Sequence, residues 1–291
     1  AVALPTRFVI RAGAIGAGYA AKQICSGVFV ARLPEQFILE TDVLPRLATV
    51  KPLAQLLGYE VYYGHREVAA RMLGQEVIAR HRRGYGCTLV TPDHAPLFPF
   101  AASADGFSGH SHDTDVTPAS NANHAPAQHA ENKPALQAAL STAFAEPPEG
   151  GRNTLAVIVM HRGEVVAEQY GAPVTATTPM QGWSMNKSLM ATFIGRQVDQ
   201  GNLDLDGAVV SALQAAGAGS RTLGKVDPRL TLRHLLSMTT GFDFSERYFP
   251  GDDVTDMLYR QPGMWLSAPD TGHAQPVGKQ WAYSSGDINT A

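Results

Sequence analysis

Through the first hundred residues the apolar positions fall in short runs separated by glycine. Leu53, Leu56 and Leu57 fit a short helix, whereas Tyr59–Tyr63 and Val77–Val90 read as strands interrupted by Gly64, Gly74, Gly84 and Gly86. The run Val68–Ile78 fits a helix and a hairpin equally. From Ala101 to Lys133 large apolar side chains almost vanish, Phe107 and Val116 excepted, so the segment reads as a flexible linker or surface loop. Beyond it Asn132 is placed to cap a helix with Pro134 in its first turn, running to about Phe144. Two β-branched runs, Thr154–Met160 and Glu164–Tyr170, flank His161-Arg162-Gly163 and predict a hairpin. A long helix starts near Ser184 and stops at Gly201, and Thr231 caps another that buries Leu232, Leu235 and Leu236. The expected division is an amino-terminal module over 1–100, a linker over 101–133 and a second domain over 134–291.

Composition narrows the function classes. With 44% apolar and 17% charged residues the 291-residue chain is globular, not disordered, collagenous or coiled-coil. A formal charge of −3 gives it no global attraction for nucleic acid or an anionic membrane. No run of eighteen apolar residues predicts a membrane span. The small-residue stretch Ala12–Ala21 reads as the trimmed remainder of an export signal or anchor, or simply as lying near an arbitrary boundary of the sequence; the first reading is the one expected, and it implies the periplasm or its membrane. Cys25 and Cys87 are too few for a disulfide scaffold, and the sequence leaves open whether they pair. His110, His112, His124 and His129 lie in the polar segment without ligand spacing, so no metal is expected.

Lysine is scarce, with six in the chain, and one of them, Lys187, follows Ser184 by three positions at the mouth of a helix. Residues so spaced share a face, which brings the amine to the hydroxyl. A serine hydroxyl becomes nucleophilic only when a base takes its proton. An amine desolvated among Trp183, Met185, Leu189 and Met190 gives up its own proton more readily and suits that task. A helix start also supplies backbone N–H groups for an oxyanion. Near the other end, Tyr283-Ser284-Ser285 offers a phenol for proton transfer and a hydroxyl for the amine or a substrate carbonyl.

The order of these signals carries a resemblance. Ser184-Met185-Asn186-Lys187 follows the hairpin, then come Gly201-Asn202-Leu203-Asp204-Leu205-Asp206, Leu230-Thr231-Leu232-Arg233-His234-Leu235-Leu236-Ser237-Met238-Thr239-Thr240-Gly241-Phe242, and a run from Pro276 to Gly286 that ends in Tyr283-Ser284-Ser285. From about Leu136 to Ala291 the chain resembles the serine β-lactamase-related hydrolases. These include class C β-lactamases, D-alanyl-D-alanine peptidases, D-aminopeptidases, family VIII-type esterases and nylon-oligomer hydrolases. Cys25 and Gly84-Tyr85-Gly86-Cys87 resemble the amino-terminal extension of a bacterial subgroup of these enzymes. The resemblance implies an α/β (α+β) fold: an antiparallel sheet flanked by helices, with a helical subdomain between Gly201 and about Leu266. It implies Ser184 as the acylated nucleophile, Lys187 as its base partner and Tyr283 as the proton-transfer residue. Ser285 and Trp183 are candidate substrate contacts, no cofactor is required, and the partner is a small-molecule or peptide-like substrate.

Two departures qualify the resemblance. Ser285 stands where the β-lactamases have Asn, which shifts the expectation toward esters, amides or peptides. The family's third motif, K-T-G or H-x-G on a sheet strand, does not follow Tyr283 in the remaining eight residues. The expectation is therefore that the domain is incomplete at its carboxy end, its last strands belonging to a continuation of the polypeptide or to another chain. A penicillin-binding sensor that is acylated without turnover, or a degenerate scaffold, is the competing reading. Elsewhere, Gly13-Ala14-Ile15-Gly16-Ala17-Gly18 reads as a closely packed small-residue helix or the tail of an anchor rather than a dinucleotide turn, and Arg80-His81-Arg82-Arg83 as a solvated turn. His234 is expected as a packed, hydrogen-bonded core histidine, His161 exposed, and Asp252 and Asp253 as helix caps.

Overall fold

The computed structural model describes residues 6–47, 53–90, 134–148, 150–261 and 263–291. The expected linker with its four histidines, and the Asn132 cap, lie outside the described residues.

Small side chains shape the amino-terminal part. Helix α1 (Thr6–Phe29) buries Ala12, Gly13, Gly16, Ala17, Ala20 and Ala21, so its backbone approaches a neighbour closely. That neighbour is a four-stranded antiparallel sheet in the order β1 (Gly58–Tyr62), β2 (Glu67–Met72), β3 (Gln75–Arg82), β4 (Gly86–Val90). A Cβ on Gly13 would lie 2.7 Å from the Met72 carbonyl oxygen, and glycine there lets the helix settle onto the sheet. The stretch expected to be a leader or anchor remainder thus forms the inner face of a packed helix. No helix among the described residues is long and apolar enough to cross a membrane. The ambiguous run Val68–Ile78 belongs to the β2–β3 hairpin, where Leu73 and Gly74 turn with positive φ. Cys25 and Cys87 form a disulfide that fastens α1 to β4. The basic run ends β3 and enters its turn, with Arg80 paired to Glu67.

This core extends across the expected domain boundary. Tyr259 packs edge-on against Tyr19 with centroids 5.8 Å apart. Arg11 forks onto Asp256 through Nε at 2.8 Å and through Nη2.

The second part begins with α2 (Pro134–Phe144), whose Leu136 and Leu140 pack on the hairpin β5 (Ala156–His161) and β6 (Glu164–Tyr170). Arg162 and Gly163 both take positive φ, +53° and +83°, as a two-residue turn of matching twist requires. His161 is exposed, as expected. These two strands form a sheet of their own. Helix α3 (Asn186–Asp199) follows a 3-10 turn at Trp183–Met185 and ends before Gly201, whose φ is +75°. A helical subdomain then folds around Ile194, Leu213, Leu230 and Leu235, from α4 (Val209–Ala215) and α5 (Leu232–Leu236). His234 is half-buried and closes a capping box with Thr231 rather than filling the core. Helices α6 (Asp253–Tyr259) and α7 (Ser285–Thr290) complete this part. The fold mixes helices with antiparallel sheets, as the resemblance implied.

Candidate active site

Ser184 sits on the 3-10 turn that leads into α3, one step outside the regular helix. Trp183 before it has φ +41°, a strained position for a residue with a Cβ, and such outliers concentrate at functional sites. Lys187 lies one turn on, and its Nζ donates to Ser184 Oγ at 3.1 Å and to Ser285 Oγ at 3.0 Å. The S-x-x-K spacing thus does what helix geometry dictates, while Ser285 arrives from 98 residues away.

Ser285 is placed by a locked motif. Ala282 N–H donates to the Met238 carbonyl at 3.0 Å and Gly278 N–H to the Thr239 carbonyl at 2.8 Å. Buried Asp287 accepts hydrogen bonds from Ser284 Oγ at 2.8 Å and Thr240 Oγ1 at 2.9 Å, tying Tyr283-Ser284-Ser285 to Thr239-Thr240-Gly241. Burial raises the Asp287 pKa to about 6; the two hydroxyl donors oppose the rise, and the nearby Glu246 charge adds to it. Glycine is required at 286, where a Cβ would lie 2.7 Å from that of Ala268.

Sequence reasoning missed Glu246. Its carboxylate accepts from Ser285 Oγ at 2.5 Å and also from the Ser285 backbone N–H. The result is a continuous chain, Ser184–Lys187–Ser285–Glu246, with an acid at its far end. Tyr248, also missed, reaches Glu246 with its hydroxyl at 3.4 Å, and burial pushes its pKa up. A lone glutamate in a loop carries no motif. The nearest legible signal was Asp252-Asp253, read as caps. Asp252 does take the N-cap position of α6, but its carboxylate turns back to accept from the Arg247 and Phe249 N–H groups, each at 3.1 Å. Asp253 accepts from the Ser245 N–H at 2.9 Å and Oγ at 2.7 Å. Both acids therefore hold the 245–249 loop that presents Glu246 and Tyr248.

One expectation needs correction. Trp183, Met185, Leu189 and Met190 are exposed and do not fold over Lys187, because α3 presents that face to solvent. Tyr283 meets the amine with its ring face, the Nζ lying 4.7 Å from the ring centroid, and not with its hydroxyl. The ring of Trp183, a candidate substrate contact, has Arg46 stacked over it at 5.8 Å.

Residues 127–291, more than half of the chain, match the family model described as Beta-lactamase. The chain belongs to the beta-lactamase family. No curated protein matches it. In a beta-lactamase-family chain the hydrogen-bonded Ser184, Lys187 and Ser285 form the natural candidate site beside Tyr283, with Ser184 exposed, Lys187 half-buried and Ser285 buried. Among the described residues no group of three or more His, Cys, Asp or Glu side chains is placed to hold a metal ion.

Proposed function

We propose that this beta-lactamase-family protein is a serine hydrolase that forms an acyl-enzyme on Ser184 with an ester or amide substrate. The observation that carries the reading is the placement of one amine, Lys187 Nζ, within hydrogen-bonding reach of both Ser184 and Ser285. With the amine uncharged, the Ser184 proton passes to Nζ as Oγ adds to the substrate carbonyl. The proton then moves to the departing alcohol or amine, and a water molecule releases the acyl group as a carboxylic acid. Ser285 and Glu246 hold the amine in place through this exchange. Tyr283 joins proton transfer once its side chain turns to present the hydroxyl. Ser285, with no amide to hold a lactam, directs the site toward esters, amides or peptides. The Cys25–Cys87 disulfide supports export to an oxidising compartment such as the periplasm.

The test is turnover of a panel of nitrophenyl esters, anilides and a chromogenic lactam by the chain and its Ser184→Ala variant. Ester or anilide turnover that disappears in the variant supports the reading. Equal rates in both proteins contradict it, and a single burst without turnover replaces it with an acylated sensor.

A further inference from the structure

A cavity of about 630 Å³ lies between α1 and the turn that carries Ser184. Its size is that of small-molecule sites in general. Val30, Leu33, Phe37, Ile38, Leu155 and Leu258 supply apolar walls, while Gly182, Trp183 and Asn186 form the side toward the nucleophile turn. Ser184, Lys187, Ser285 and Glu246 are not among its lining residues.

Most of the polar groups that face this space are engaged. Gln23 accepts from Gln181 Nε2 at 2.5 Å, Thr41 donates to the Phe37 carbonyl at 2.6 Å, and Asn153 donates to the Thr41 carbonyl at 3.3 Å. Asp42 accepts from the Tyr19 hydroxyl at 2.7 Å and pairs with Arg46 at 3.5 Å. Lys22 differs. Its ammonium donates to the Cys87 carbonyl and forms no ion pair among the described residues. Burial lowers its pKa, and no neighbouring carboxylate counters the effect. An ammonium carries three donors and one carbonyl accepts one of them. A half-buried cation without a counter-charge, on the wall of an apolar cavity, matches an anion with an apolar body.

We infer that this cavity is a ligand site, distinct from the Ser184 site, for a carboxylate bearing a linear apolar tail, with Lys22 binding the carboxylate and the walls between α1 and Leu258 receiving the tail. The inference does not depend on the hydrolase reading.

The probe is dodecanoate, titrated calorimetrically into the full chain, with dodecanol as the uncharged comparison. Dodecanoate is expected to bind with one-to-one stoichiometry and about 10–100-fold more tightly than dodecanol, the range of a charge-assisted hydrogen bond. Lys22→Met is expected to remove that preference and Lys22→Arg to keep it, while Ala31→Trp, which fills the space, removes binding of both probes. Because Lys22 and Ala31 lie outside the Ser184 network, a carboxylate held there as a product would bind all variants equally, and that result overturns the inference. So does the absence of binding, or equal affinity for the acid and the alcohol. Should Lys22→Met fail to fold, the acid–alcohol comparison on the unmodified chain decides the question alone.

Discussion

The two parts of the molecule solve the problem of holding side chains in place by different means. In the amino-terminal part a helix of small residues is pressed against four strands, and Ile24, Cys25, Val68 and Ala70 are inaccessible to solvent. Packing and a disulfide hold it. In the second part the hairpin has two strands, and α3 buries only Ile194. Phe193 on the same helix is 62% exposed and Met160 on β5 is 63% exposed. Here the residues that matter are held by hydrogen bonds between loops: Asp287 to Ser284 and Thr240, Asp252 and Asp253 to the 245–249 loop, and Glu246 to Ser285. Buried apolar area holds the first part; around Ser184 the second part relies on buried polar contacts, Asp287 at 1% and Ser285 at 7% exposure, set beside an exposed helix face.

The sharpest way to test this contrast is to cut the polar network at its centre. Lys187→Met should lower kcat/KM on any substrate the chain turns over by about 10²–10⁴-fold, the usual worth of a positioned base, without moving the unfolding midpoint. Glu246→Gln, two bonds further from Ser184, should lose about tenfold by the same assay, in line with one charge-assisted hydrogen bond. A large fall in unfolding midpoint with either change would mean that the network also holds the fold.

The opposite cut removes the disulfide. Closing the 62-residue separation contributes about 4 kcal/mol in the chain-entropy model. Denaturant unfolding of Cys25→Ser/Cys87→Ser should show that loss, while the rate of Ser184 acylation in buffer stays unchanged. A parallel fall in acylation would erase the distinction between the two parts.

Asp287 gives a test by pH. Its folded pKa of about 6 lies above its ordinary value of 3.8, so the folded chain holds this proton more tightly than the unfolded chain does. The stability from this group is complete below about pH 4 and is lost as pH rises through about 6, to a total of about 2–3 kcal/mol. Urea unfolding should show the slope in the native chain and its absence in Asp287→Asn. The smallest effect is expected at Phe193, where Phe193→Ala should change stability by no more than about 0.5 kcal/mol, against about 2–5 kcal/mol for Ile24→Ala. Equal costs at the two positions would contradict the difference in packing.

Legibility in the sequence followed the range of the interaction that decides each feature. The hairpin turn at Arg162-Gly163, the end of α3 at Gly201 and the pairing of Ser184 with Lys187 are local, and residue type and spacing sufficed for them. Ser285 was found through a motif, and its hydroxyl accepts from Lys187 Nζ. Glu246 joins Ser285 across 39 positions by a contact no periodicity encodes, and its loop is held by two aspartates, the N-cap and first residue of α6, whose side chains turn back to that loop. The orientation of Tyr283 and the exposure of Met185 and Leu189 depend on tertiary placement, which a helical wheel does not supply. In the amino-terminal part the ambiguous run Val68–Ile78 was settled by strand pairing with neighbours on both sides.

The central claim is that Ser184 is a nucleophile activated by Lys187. Its most direct test is intact mass followed by peptide mapping after treatment with a fluorophosphonate probe, on the native chain and on Ser184→Ala and Lys187→Met. The account predicts one adduct, on Ser184, absent from the first variant and strongly slowed in the second. No adduct on the folded chain, or an adduct on another serine, would contradict it.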